Sequence, residues 1–212
     1  MLSFSHGVFA AADPTLWYLT RTAAVGAYVT LIMTVILGML RTIARRTGEQ
    51  LTWLVDEFHA FFAIITGILV LAHLVTLYFD PFLPFSLINL LVPLPTQPYQ
   101  TLAVNLGICA LYCMVALLLS SWARRRLAYG FWRNVHNLSF VALILVTLHG
   151  LLAGSDASEP WMHALYGIVG GGIGFLILWR LLATIRKPLP AERTSGYRES
   201  GSAFDDAYDE GF

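Results

Sequence analysis

Two stretches decide the fold: residues 54–79, LVDEFHAFFAIITGILVLAHLVTLYF, and residues 131–153, FWRNVHNLSFVALILVTLHGLLA. The first carries His59 and His73, the second His136 and His149. Each is long enough to cross the ~30 Å hydrocarbon core of a bilayer, which takes ~20 apolar residues of helix. An ionisable side chain at that depth is costly and marks a functional site by default. A single such histidine is most simply a hydrogen-bond partner for a neighbouring backbone. Two on each of two spans ask for another explanation.

Outward from these stretches, residues 16–40, 102–122 and 161–184 meet the same length, so the expected fold is an all-α membrane protein, a bundle of about five transmembrane helices. Composition agrees. The chain is 57% hydrophobic and 12% charged, whereas a soluble domain carries about a quarter charged residues. Thirteen basic residues cancel thirteen acidic ones, and no nucleic-acid partner is expected. The placement of the basic residues is informative. Arg41, Arg45 and Arg46 follow the first span; Arg124, Arg125, Arg126 and Arg133 lie around the start of the fourth; Arg186 and Lys187 follow the fifth. Loops 80–101 and 154–160 hold no Lys or Arg. Basic loops stay on the cytoplasmic side, which predicts an N-terminus outside and a C-terminus in the cytoplasm.

The expected organisation is an outer N-terminal segment 1–14, a transmembrane domain 15–185 and a polar, disordered cytoplasmic tail 186–212. Residues 1–13 lack the basic start of a secretory leader, and none is expected. Loop 80–101, with five prolines, contains an apolar segment 85–92 that is too short to span. It is read either as an interfacial helix capping what lies beneath or as an ordinary loop. Cys109 and Cys113 stack on one helix face, cannot bridge, and are expected to pack as small apolar residues. Gly167, Gly170, Gly171, Gly172 and Gly174 suggest close helix packing in the fifth span. Asp56 and Glu57 sit where a helix N-terminus favours acids; docking of an electron donor is the alternative. His6 and His163 lie outside the membrane core, near the outer surface, and match no partner in depth.

At 1.5 Å per residue, His59 and His73 are ~21 Å apart along their helix, and His136 and His149 are ~20 Å apart along theirs. Both helices run in the same direction, so His59 is level with His136 and His73 with His149. Two facing imidazole pairs, one above the other, suit two b-type haems, each needing an axial imidazole on either side of the iron. The levels are too far apart for one metal ion to use all four. Azimuth fits less simply. Fourteen residues return His73 to within ~40° of His59, but thirteen turn His149 ~140° away from His136. A bulge or change of winding in the fourth helix is therefore expected, with Gly150 a source of freedom.

The pattern resembles the ferric reductase-like transmembrane domain, a group that includes ferric reductases, NADPH oxidases and a bacterial methionine sulfoxide reductase haem subunit. The resemblance covers most of residues 15–185. It rests on His59-x13-His73, on His136-x12-His149, on FWRNVHNLSF and LHGLL around the latter pair, and on FSLINLLVPLPTQPYQTLAVNLG in the outer loop and third span. It implies an inner haem held by His59 and His136 and an outer haem held by His73 and His149. Arg21, in WYLTRTAAVG, matches an arginine that relatives place near the outer haem; it either snorkels to water or pairs with a haem propionate. The chain departs from the larger members in having no flavin or nicotinamide domain and no helix before the first span. No FAD or NAD(P) site is expected, and the donor is expected to be separate, a flavoprotein or a membrane quinol.

These readings converge on a multi-pass component of a bacterial cell membrane, an oxidoreductase subunit that passes electrons from a cytoplasmic or membrane donor to an outer-side acceptor. The competing readings are a haem-binding anchor or assembly subunit of a redox complex, and a small transporter or quinone-binding protein with histidine proton relays. Sidedness is directly testable. Ser158→Cys and Arg45→Cys should react with an impermeant thiol reagent from opposite faces of the membrane, and reaction of both from one face would overturn the orientation.

Overall fold

The computed structural model describes residues 14–47 and 49–185. The expected N-terminal segment, apart from Pro14, and the expected tail 186–212 lie outside them. Every element among the described residues is helical. α1 spans Thr15–Thr47, α2 Glu49–Phe79, α3 Leu87–Leu91 and α4 Thr101–Trp122; a 3-10 turn at Arg124–Arg126 leads to α5 Tyr129–His136, α6 Leu138–Ala153 and α7 Pro160–Ile185. Four stretches are long and apolar enough to cross a membrane: Thr15–Arg41, Gln50–Phe79, Thr101–Trp122 and Tyr129–Ala153. The chain is an integral, multi-pass membrane protein. The fifth expected span falls in α7, a continuous helix of 26 residues. Residues up to Val169 cluster as one compact unit and those from Gly170 onward as a second; the described part of the second is the helical stretch 170–185.

α2 shows why these helices belong in lipid. Leu54, Phe58, Phe61, Ile64, Ile68, Leu71, Val75 and Tyr78 are all exposed, at steps of three and four residues. That spacing draws one stripe down a helix, and a continuous exposed apolar stripe is stable against acyl chains rather than water. Away from the stripe, α2 packs on α1, and α4 packs on α6. The α1–α2 contact uses small and hydroxyl side chains, as membrane helices do. Gly26 admits Leu69, whose Cδ1 would lie 3.2 Å from a Cβ there, and Thr66 donates to Thr30 at 2.9 Å. Ala23, Ala27, Leu31 and Val35 line the buried face of α1.

The fourth expected span is two helices, not one. α5 ends at His136, and Asn137 stands between it and α6 with φ −66° and ψ −16°, close to 3-10 values. The Asn137 N–H still reaches Arg133 O at 3.1 Å, but Phe140 N–H bonds Asn137 O at 3.2 Å, an i to i+3 step. The change of winding thus falls immediately after His136, and not beside Gly150. A uniform 100° per residue therefore does not run unbroken across position 137, although one residue of 3-10 winding turns the helix by only about 20° more.

Loop 80–101 is pinned rather than loose. Ser86 caps α3 through a reciprocal bond with Asn89, and Asn89, Gln97 and Asn105 form a chain of side-chain bonds at 3.2 and 3.1 Å that ends on Leu94 O. Tyr112 of α4 donates to Leu91 O. Cys109 and Cys113 are unbridged, with Cys109 exposed. A Cβ at Gly167 would meet nothing within 4 Å, so among the described residues no close packing is made at that position.

Two ion pairs tie the ends. At the arginine-rich end, Arg41 donates to Asp56 at 2.7 Å. At the other, Arg21 forks onto both carboxylate oxygens of Asp156. The Asp156 side chain is 6% exposed against 34% for Asp56, and a desolvated carboxylate loses more when its partner goes. Arg21→Met should therefore lower stability by about 1–2 kcal/mol, and Arg41→Met by less, in denaturant titrations of the detergent-solubilised protein.

Candidate functional site

The four histidines of the spans meet at two levels. At the arginine-rich end the His59 and His136 rings have centroids 6.1 Å apart with 57° between their planes. At the other end His73 and His149 line one cavity of about 590 Å³. That volume lies within the range of small-molecule and cofactor pockets. Trp17, Thr20, Arg21 and Tyr28 of α1, Val146 of α6 and Tyr166 of α7 share its wall. Phe82, Leu83, Phe85 and Tyr99 reach it from loop 80–101, and of the apolar segment 85–92 only Phe85 does so.

Three of the four rings are oriented by backbone carbonyls. His59 Nδ1 lies 2.8 Å from Thr34 O, His73 Nδ1 3.1 Å from Thr20 O, and His149 Nδ1 2.7 Å from Ala103 O. A carbonyl oxygen only accepts, so each Nδ1 carries the proton and donates. The Nε2 lone pair of each ring is then free to bind a metal. Register explains how α1 serves both histidines of α2. Thr20 and Thr34 are fourteen residues apart, as are His59 and His73, and α1 and α2 pack together. Each is ~21 Å of helix, so one pairing repeats at the other level.

A helix carbonyl already accepts the N–H four residues on, and the side chain at that position crowds it. Gly38 stands four residues after Thr34, and Gly107 four after Ala103. A Cβ at Gly38 would sit 3.2 Å from His59 Cε1, and one at Gly107 only 2.8 Å from His149 Nδ1. At the third site the corresponding residue is Ala24, the smallest side chain. These two glycines are functional positions that reading the sequence passed over. Their signal was present, a glycine inside an apolar span, but its meaning needs the partner helix.

Arg21 stands in the cavity wall with its guanidinium held by Asp156 and lying 5.1 Å from the Trp17 ring centroid. Its side chain is 36% exposed, and the fork onto Asp156 selects neither water nor a propionate as a further partner. Asp56 is engaged by Arg41, in line with an end charge. His163 is exposed on α7, and His6 lies outside the described residues. Among the described residues, no group of three or more His, Cys, Asp or Glu side chains is arranged to hold a bare metal ion. Pairs of histidines, not clusters, are what the bundle assembles.

A family model described as ferric reductase like transmembrane component matches residues 23–147. The matched stretch includes His59, His73 and His136 and stops two residues before His149. No curated protein and no solved structure matches the chain. The glycine positions carry their own test. Gly107→Ala should destabilise the protein by about 1–3 kcal/mol, the usual cost of overpacking. Gly67→Ala should be near neutral, because a Cβ there has its nearest neighbour at 3.9 Å. Thermal unfolding in detergent reads both.

Proposed function

Because this chain belongs to the ferric reductase-like transmembrane component family, a transmembrane redox component, we propose that it carries electrons across the membrane through two b-type haems. His59 and His136 hold the one at the arginine-rich end, and His73 and His149 hold the one beneath loop 80–101. The observation that carries this reading is the pairing of imidazoles at two depths, with three Nδ1 atoms donated to carbonyls and Nε2 left free. Spacing supports it. Two imidazoles bonded to one metal at about 2.0 Å from opposite sides have ring centres about 6 Å apart, which is the separation of His59 and His136. Gly38 and Gly107 keep two of the rings seated against their carbonyls.

When bound, haem iron supplies one-electron exchange between its ferric and ferrous states. The chain's residues do the rest. Carbonyl bonds from Thr34, Thr20 and Ala103 fix ring planes and make those imidazoles better donors. Apolar side chains, with Phe82, Leu83, Phe85 and Tyr99 of loop 80–101, form much of the cavity wall. Arg21, paired with Asp156, stands in the cavity wall, and its remaining N–H groups would be the ones to meet a haem propionate. Residues 15–185 form the haem-binding domain. The arginine-rich end faces the cytoplasm of a bacterial cell, following the basic loops, and receives electrons from a separate flavoprotein or quinol. The outer end gives them to an acceptor outside. With both imidazoles of a pair committed to it, a bound haem would serve electron transfer rather than oxygen binding.

Two substitutions test the pairing. His73→Ala or His149→Ala should remove about half of the haem b, from the outer level alone, in reduced-minus-oxidised spectra and haem quantification of purified protein. Equal loss from both levels, or wild-type protein with no haem b spectrum, would overturn the assignment.

A further inference from the structure

His136 is oriented differently from the other three. Its Nδ1 is buried and has no hydrogen-bond partner in the structure. A ring lies against it instead. Trp132, one turn earlier on α5, stacks on the imidazole with centroids 4.9 Å apart and planes 24° from parallel. Residues four apart share a helix face, so α5 brings this pair together by itself. The indole N–H is also buried and unpartnered, so Trp132 engages its surroundings through its ring and not through a polar bond. The Arg124 guanidinium lies over the same indole at 4.6 Å, a cation–π contact that steadies it. The result is a column, Arg124 to Trp132 to His136 to His59, running from the 3-10 turn into the bundle.

We propose that Trp132 is the positioning residue of His136, fixing by ring stacking the plane that a carbonyl bond fixes for the other three histidines. The inference rests on the reading of His59 and His136 as a haem site. α5 ends at His136 and the winding changes at Asn137, and among the described residues this ring has no counterpart of the Thr34, Thr20 and Ala103 acceptors. A stack restrains the ring plane but leaves Nδ1–H without an acceptor, so His136 gains none of the added basicity that such a bond gives. The inner pair is therefore asymmetric, with one carbonyl-bonded imidazole and one stacked imidazole, whereas both imidazoles of the outer pair are carbonyl-bonded.

The test compares Trp132→Phe, which keeps an aromatic face, with Trp132→Leu, which fills much of the space without one. Both are purified as the full chain and read by low-temperature electron paramagnetic resonance of the ferric state and by haem retention during dilution. Trp132→Leu should broaden or shift the low-spin signal of the inner level and weaken its haem retention by about tenfold, the lower end of the loss seen when a ligand's support is removed. Trp132→Phe should largely restore both, and the outer signal should be unchanged throughout, which also reports an intact bundle. An inner signal unchanged in Trp132→Leu would overturn the inference, as would equal loss in both variants or loss of both levels together. Wild-type protein lacking two haem signals would instead overturn the functional reading on which it rests.

Discussion

An imidazole in a bilayer cannot turn to water for its hydrogen bonds, and the arrangement of this bundle follows from that constraint. A ring nitrogen left bare in hydrocarbon is costly. The available acceptors are backbone carbonyls, already used within their own helices but each with a second lone pair. Reaching that lone pair requires two helices to come close at the right height. The α1–α2 pair does so twice, because fourteen residues separate both the two acceptors on α1 and the two donors on α2. The α4–α6 pair does so once, at Ala103 and His149. Close approach in turn explains the small residues at these contacts, since lipid offers no hydrophobic force to press helices together and packing must come from fit.

Much of this was legible in the residues. Apolar runs of spanning length gave four membrane helices that the structure contains, and α7 covers the fifth segment. Depth counting at 1.5 Å per residue put His59 level with His136 and His73 with His149, and the structure brings each pair to one level. Depth survives distortion because axial rise changes little when a helix is locally rewound. Azimuth is more sensitive, and the break at Asn137 interrupts the uniform winding that the thirteen-residue count assumes. Asparagine is a modest helix former, but nothing in the local text separates an Asn that interrupts a helix from one that does not.

What stayed illegible concerns partners distant in sequence. Arg21 and Asp156 are 135 residues apart, and no local pattern connects them. Gly38 and Gly107 read as ordinary glycines of membrane spans until the imidazoles beside them are placed. The polar staple of Asn89, Gln97 and Asn105 in the loop by the outer cavity likewise joins residues that no local pattern connects. Single-chain periodicity determines which face a residue occupies, whereas the neighbour across that face is a property of the assembled bundle.

The use of main-chain oxygens as acceptors inverts the mutational sensitivity one would assign to this protein. Exchanging the side chain of Thr20, Thr34 or Ala103 cannot delete the atom that their histidines depend on, because every amino acid supplies the same oxygen. Damage has to come from obstruction instead, at the residue one turn further along. At the three carbonyl-bonded histidines the fragile positions are thus ones that contribute no chemical group at all.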